Sequence, residues 1–264
     1  MAHLFFQSAW PLVFAHRGGA GLAPENTIVA FDNGLRTGAD GLELDVRLSR
    51  DGEVVVHHDR ALDRTTALRG ALDAHDAREL ASHGIPLLSS VLTRYATARI
   101  VVEMKVNSPD FARAVVEVVR KAGAVDRVCL GSFGLRVLRA ARALDPAIAT
   151  SAAREEVRWA LYRSWCRWPV TRVSYGGYQV PERAGRTRVV SERFVQDAHR
   201  AGLAVQVWTV DNEADARRLL SWGVDALITD RPDLIEPLVK SLFPLSPRRS
   251  ACEPPEIPVP SSPA

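Results

Sequence analysis

Residues 40–59 read DGLELDVRLSRDGEVVVHHD, and the reading of this stretch decides how the rest of the chain is laid out. One alternating apolar run carries two carboxylates two residues apart, Glu43 and Asp45. An Asp-Gly step at Asp51 and Gly52 reverses the chain, and a second apolar run ends in His57, His58 and Asp59. Asp-Gly between two such runs is a strong hairpin signal, because glycine accepts the positive φ of a tight turn. A parallel return would need a crossover of about a dozen residues, which Ser49 to Gly52 cannot supply. A turn of two residues, Asp51 and Gly52, or of four from Ser49, sets His58 opposite Asp45 or Glu43. Residues opposite each other across a pair share a face of the sheet. Glu43, Asp45 and His58 are therefore expected on one side and His57 on the other.

Outward from the hairpin, strand and helix signals alternate. Leu12 to His16 (LVFAH) is a short β-leaning run stopped by Gly18 and Gly19. Pro24 opens a helix-like segment, ENTIVAFDNGLRTG, with proline suited to a first helical turn. Arg60 to Gly84 is polar and aperiodic, which predicts loops with one short helix over the site, and Pro86 leads into a helix from Leu88 to Ala98. Further strands are predicted at Ile100 to Lys105, Arg127 to Ser132, Ala147 to Ser151, Arg172 to Tyr175, Ala204 to Val210 and Ala226 to Thr229. Helices follow at Pro109 to Ala122, Leu135 to Leu144, Arg154 to Arg163, Ser191 to Ala201, Glu213 to Trp222 and Pro232 to Leu242. Such alternation implies a parallel sheet with helices outside it. With the hairpin arm and the short insertion after it set aside as an excursion, about eight strands remain, the signature of a closed (β/α)₈ TIM barrel. This makes one domain over residues 1–243. The tail, 244–264, is crowded with Pro and Ser and reads as disordered.

Composition narrows the function class. The chain has 264 residues and a formal net charge of +3, too small to argue for nucleic acid on electrostatic grounds. No apolar run approaches the roughly 18 residues of a spanning helix. The three cysteines, Cys129, Cys166 and Cys252, are odd in number and far apart, so no disulfide framework is implied. With no signal-peptide pattern at the N-terminus, a cytoplasmic protein is expected.

In such barrels the active site lies at the carboxyl ends of the strands. His16 ends the first strand, Glu43 and Asp45 the second, Glu103 and Lys105 the third. Residues two apart in a strand face the same way, so these groups converge on one rim. Three carboxylates crowded together repel one another unless a cation sits among them. Oxygen-only ligands favour Mg²⁺ or Ca²⁺ over zinc, and both histidines are left free of the metal. Arg17 and Lys105 suit the non-bridging oxygens of a phosphate ester. Two imidazoles allow one to activate a nucleophile while the other protonates the leaving oxygen. The reaction class is phosphodiester cleavage.

Seven motifs lie in register from about Leu12 to Leu238: HRGG at His16 to Gly19, PENT at Pro24 to Thr27, ELDV at Glu43 to Val46, HD at His58 and Asp59, EMK at Glu103 to Lys105, WTV at Trp208 to Val210 and TDRP at Thr229 to Pro232. Together they resemble the glycerophosphodiester phosphodiesterase family. That resemblance implies a metal-dependent barrel enzyme that hydrolyses glycerophosphodiesters to an alcohol and sn-glycerol 3-phosphate. It implies His16 and His58 as the acid/base pair, Glu43, Asp45 and Glu103 as ligands of a divalent cation, Arg17 and Lys105 as phosphate contacts, and Trp208 as the aromatic lining the glycerol side. Asp59 is expected to orient His58, and Asp230 and Arg231 to form a cap and ion pair before the last helix. The rivals are a lysophospholipase D-type or phospholipase C-like diesterase acting on lipid, and a catalytically silent binder of a phosphorylated ligand. Trp159 to Trp168, WALYRSWCRW, reads either as a helix whose arginine stems cover the barrel edge or as a surface making weak contact with lipid head groups. The expected partner is a small glycerophosphodiester or a lysophospholipid.

Overall fold

A computed structural model describes residues 3–170 and 173–244. In chain order its elements are β1 (Leu12–His16), α1 (Ile28–Arg36), β2 (Gly41–Leu48), β3 (Val54–Val56), α2 (Ala77–Ser82), α3 (Leu88–Arg94), β4 (Arg99–Met104), α4 (Pro109–Lys121), β5 (Val128–Gly131), α5 (Leu135–Leu144), β6 (Ala149–Thr150), α6 (Arg154–Cys166), β7 (Gly177–Pro181), β8 (Arg183–Ala184), β9 (Thr187–Arg188), α7 (Glu192–Arg200), β10 (Ala204–Trp208), α8 (Glu213–Ser221), β11 (Ala226–Thr229) and α9 (Pro232–Leu242). Eight parallel strands run in the order β6-β5-β4-β2-β1-β11-β10-β7, and β3 hangs antiparallel on β2. The barrel closes through a bridge between Ser151 and Gly177. There Ala152 N donates to Gly177 O at 2.9 Å and Gly176 N to Thr150 O at 3.0 Å. The predicted TIM barrel is what the chain forms. The tail read as disordered lies, from residue 245 on, outside the described residues, as does Cys252.

Two-residue alternation divides each strand. Leu12, Phe14, Val101, Cys129, Ala226 and Ile228 fill the lower barrel interior. An N-terminal 3₁₀ turn, Leu4–Phe6, plugs that end, with Phe5 stacked on Phe14 at 5.9 Å. The intervening residues, among them Leu42, Leu44, Val102 and Leu130, face outward and pack against Phe31, Leu92, Phe111 and Val115 of the helices. A second outer layer joins Val205, Val207 and Leu227 to Phe194, Leu219 and Ile235. Each fully buried Leu or Phe contributes about 2 kcal/mol, so the barrel is held mainly by this shell. Register then sets the rim, pairing His16 with Glu43 and Asp45 with Glu103 across neighbouring strands.

Four local readings need correction. The hairpin loop has three residues, Arg50 to Gly52, closed by Ser49 N donating to Glu53 O at 3.0 Å, with Gly52 at φ 82°. An odd loop shifts the pairing to Val46 with Val56 and Leu48 with Val54, so His57 N meets Asp45 O at 2.9 Å. His58 reaches the site because β3 ends at Val56, not because it pairs with Asp45 or Glu43. Second, α1 begins at Ile28, where the Thr27 side chain caps Ala30 N at 3.2 Å. Asn26, at φ 58°, cannot continue a helix back to Pro24. Third, the strand expected at Arg172 to Tyr175 lies at Gly177–Pro181; Arg172 itself is outside the described residues. Fourth, α3 stops at Arg94, short of Ala98.

The polar stretch 60–84 holds one short α-helix, α2, as expected, a 3₁₀ turn at Leu72–Ala74, and side chains of a small core in which Leu62, Leu72, Leu80 and the adjoining Ile85 pack on Val55 of the hairpin. Among the described residues no helix is long and apolar enough to cross a membrane.

Candidate active site

The carboxyl ends of the strands surround a cavity of about 690 Å³. All eight residues given an acid/base, metal or substrate role by the family resemblance line it: His16, Arg17, Glu43, Asp45, His58, Glu103, Lys105 and Trp208. The HRGG turn begins the assembly. Arg17, Gly18 and Gly19 all have positive φ, at 52°, 88° and 94°. For Arg17 this conformation costs on the order of 1–2 kcal/mol, and it aims the Arg17 amide at Glu43 Oε2, 3.0 Å away.

Asp45 is the most enclosed of the acids, at 1 % exposure. Lys105 Nζ lies 2.8 Å from Oδ1 and Arg17 Nε 3.3 Å from Oδ2. Asn26 grips the same residue twice, its Nδ2 donating to Oδ2 at 2.9 Å and its Oδ1 accepting from Asp45 N at 3.2 Å. Burial alone would raise the Asp45 carboxyl, but Lys105 and then Arg17 outweigh it and hold it below the usual range. Glu43 moves the other way, raised first by burial and then by the Asp45 charge. Burial, only partly offset by Lys105, pushes Glu103 up to about 8.

The two histidines are built alike. His16 Nδ1 lies 2.7 Å from Asp230 Oδ1, and His58 Nδ1 lies 2.6 Å from Asp59 Oδ1. A carboxylate only accepts, so each imidazole carries its proton on Nδ1 and keeps Nε2 for other work; His16 Nε2 stands 3.8 Å from Glu43 Oε2. Burial would lower His16, yet the Glu43 charge and the Asp230 hydrogen bond overcome it and leave its pKa above the ordinary value. At His58 burial prevails over Asp59, and the pKa is lowered. His57 is buried and separate from the cavity lining.

Behind this rim runs a tether that the sequence did not disclose. Arg64, from the insertion, donates Nε to Asp59 Oδ2 at 2.6 Å and its two terminal nitrogens to Glu25 at 2.6 and 2.8 Å. Glu25 Oε1 in turn accepts from Arg17 Nη1 at 2.9 Å. One guanidinium thus steadies the partners of both His58 and Arg17. Asp230 proves to be the His16 partner, whereas Arg231 pairs with Asp233 at 2.8 Å. PENT and TDRP were visible as motifs, but only the folded chain shows what Glu25, Asn26 and Asp230 hold.

Among the described residues no three His, Cys, Asp or Glu side chains are drawn together tightly enough to enclose an ion as they stand. The Lys105 ammonium lies against Asp45 instead. The donor chemistry still fits a hard cation: Glu43 and Glu103 are carboxyls short of compensating charge, beside a third acid, with no sulfur or ring nitrogen in the set. Space fits as well. A Cβ at Gly131 would lie 2.6 Å from Glu103 Oε2 and 2.8 Å from Gln179 Oε1, so glycine keeps the floor open at Glu103. Trp208 packs edge-on to Phe133 at 5.9 Å, and Lys105 Nζ and the Arg154 guanidinium lie 5.9 and 4.9 Å from the centre of that phenyl ring.

A parallel barrel whose rim gathers two carboxylate-held histidines, buried acids and two cationic side chains defines a hydrolase of phosphate esters. The chain belongs to the glycerophosphoryl diester phosphodiesterase family, whose model matches residues 16–234. It is 33 % identical over 244 residues to the probable glycerophosphodiester phosphodiesterase 2 of Mycobacterium tuberculosis, covering 88 % of this chain and 91 % of that one. With a glycerophosphodiester phosphodiesterase of Bacillus altitudinis it shares 34 % identity over 241 residues, covering 84 % and 95 %. Among solved structures it resembles an Oleispira antarctica phosphodiesterase in complex with the product sn-glycerol-3-phosphate, with a TM-score of 0.72, 27 % identity and coverage of 88 % and 97 %. The protein is accordingly a phosphodiester hydrolase.

Proposed function

We propose that the chain hydrolyses glycerophosphodiesters to an alcohol and sn-glycerol 3-phosphate, with Glu43, Asp45 and Glu103 holding Mg²⁺ or Ca²⁺ and His16 and His58 moving the protons. The observation that carries this reading is that each histidine has its own carboxylate, Asp230 or Asp59, and that both line one cavity with the acids. A ligand binder needs charge at such a site but has no use for two oriented proton carriers. The product bound by the Oleispira relative supports the choice of glycerol phosphate.

Glu43, Asp45 and Glu103 would hold a divalent cation, which would supply positive charge to the phosphate. Arg17 and Lys105 add to that charge and fix the orientation of the ester. One imidazole takes a proton from the attacking water on Nε2 as the water oxygen bonds to phosphorus, while the other delivers a proton to the alcohol oxygen whose bond to phosphorus breaks. Asp59 and Asp230 hold the Nδ1 protons, so both rings meet substrate through the same nitrogen. Trp208, perpendicular to the Phe133 ring, walls the glycerol side.

Glycerophosphocholine supplied with Mg²⁺ or Ca²⁺ is expected to yield choline and glycerol 3-phosphate, and EDTA to stop the release until metal is restored. Undiminished turnover after exhaustive EDTA treatment would remove the cation from this account. Absence of glycerol 3-phosphate among the products would remove the activity.

A further inference from the structure

The cavity has two unlike halves. Beyond the charged rim, starting at Phe133 beside Lys105, a largely apolar wall is made by Phe133, Val157, Leu161, Val180 and Val189, with Arg154 and Arg158 among them. A glycerophosphodiester with a small water-soluble head group brings no hydrocarbon to cover that wall. Cavities of several hundred Å³ with such lining suit ligands with a substantial apolar part.

α6 carries this wall to the outside of the molecule. Residues three and four apart on a helix are neighbours, and Arg154, Val157, Arg158 and Leu161 line the cavity. The next stripe round the helix is Trp159, Tyr162 and Trp165, with Trp159 67 % and Trp165 57 % exposed. Their rings form an edge-to-face ladder at 6.2 and 5.6 Å. Arg158, Arg163 and Arg167 alternate with them along the chain. Of the two acids on α6, Glu156 is taken by Arg142 at 2.7 Å, so the face is basic on balance. Beside the mouth, the hairpin β8–β9 lends Ala184 and Thr187 to the lining and exposes Arg183, Arg186 and Arg188. Indole rings interleaved with arginines match a lipid interface, where the ring enters the head-group layer and the guanidinium meets phosphate.

We propose that this face docks on an anionic lipid surface and that the site takes a glycerophosphodiester bearing one hydrocarbon chain, laid along the apolar wall. The inference rests on the reading of the site as a glycerophosphodiester hydrolase and keeps its bond chemistry. The oxygen of water bonds to phosphorus, the bond from phosphorus to the head-group oxygen breaks, and that oxygen leaves with a proton. The products are the head-group alcohol and an acylated glycerol phosphate.

The full chain is tested with glycerophosphocholine in solution and with lysophosphatidylcholine carried in phosphatidylcholine–phosphatidylglycerol vesicles. Wild type should float with the anionic vesicles and not with phosphatidylcholine alone. The variant Trp159→Ala/Trp165→Ala, altered only at exposed positions, should float less and lose about tenfold or more in kcat/KM on the vesicle-borne substrate, with glycerophosphocholine unaffected. Val157→Asp, which charges the wall, should raise KM for lysophosphatidylcholine far more than for glycerophosphocholine. Absence of flotation, equal losses on both substrates, or turnover of glycerophosphocholine alone would each overturn the proposal. Turnover of neither substrate would defeat the reading of the site itself, and this inference with it.

Discussion

The two walls of the cavity are built on opposite principles. On the side of β1, β2 and β4, nearly every polar group is tied to another, in one chain running from His58 through Asp59, Arg64, Glu25 and Arg17 to Asp45 and Lys105. Between β5 and α7, valines, a leucine and a phenylalanine supply most of the surface, with Arg154, Arg158 and Gln179 set among them. Fixed charge lowers a barrier only if it is in place before the reaction begins. Apolar surface can adapt to whatever chain it covers. The barrel thus holds the geometry of one wall by ion pairs and leaves much of the other to apolar packing.

That contrast can be broken at several points. The largest effect is expected from Lys105→Met, which removes the ammonium from Asp45 and, on the proposed function, from the phosphate. kcat/KM on glycerophosphocholine should fall about 10²–10³-fold, the scale of losing one preorganised electrostatic contact. A fall of less than threefold in steady-state assays would show that the tethered wall is only structural. Gly131→Ala comes next, since its Cβ would displace the Glu103 carboxylate. Half-activation should then need about 10–100-fold more Mg²⁺, read from a metal titration of activity.

The histidine partners give a signed test in pH–rate profiles. A carboxylate favours the charged imidazolium, so Asp230→Asn should lower the His16 pKa and move its limb to lower pH, and Asp59→Asn should do the same for His58. Arg64→Gln is the smallest change, a few-fold in kcat, because Arg64 is half exposed and such pairs are individually weak. Its direction is informative: Asp59, freed of Arg64, binds the His58 proton more firmly, and that limb should move to higher pH. An unmoved profile would confine Arg64 to holding the insertion in place.

Much of this was legible without coordinates. Alternation of β and α signals fixed the barrel, and the two-residue period put Glu43 with Asp45 and Glu103 with Lys105 on one rim. Those are local rules that tertiary packing had no reason to override. The hairpin shows their limit. Asp51-Gly52 marks a turn, but one extra loop residue reverses which side chains oppose, and composition does not distinguish three residues from two or four. β7 was misplaced because YGGYQV mixes glycine and tyrosine in a run without clean alternation. Asn26, Asp230 and Arg64 escaped for another reason: their partners lie 19, 214 and 5 or 39 residues away in sequence. A capping or turn residue cannot be told from a tether until the chain has closed.

The most direct measurement is the turnover of glycerophosphocholine, at saturating metal, by His16→Ala and His58→Ala proteins shown by circular dichroism to be folded. Both imidazoles lining one cavity predicts that each variant loses about 10²–10⁴-fold in kcat, with glycerol 3-phosphate still the product of what remains. Wild-type turnover by either variant would contradict the assignment of proton transfer to this pair.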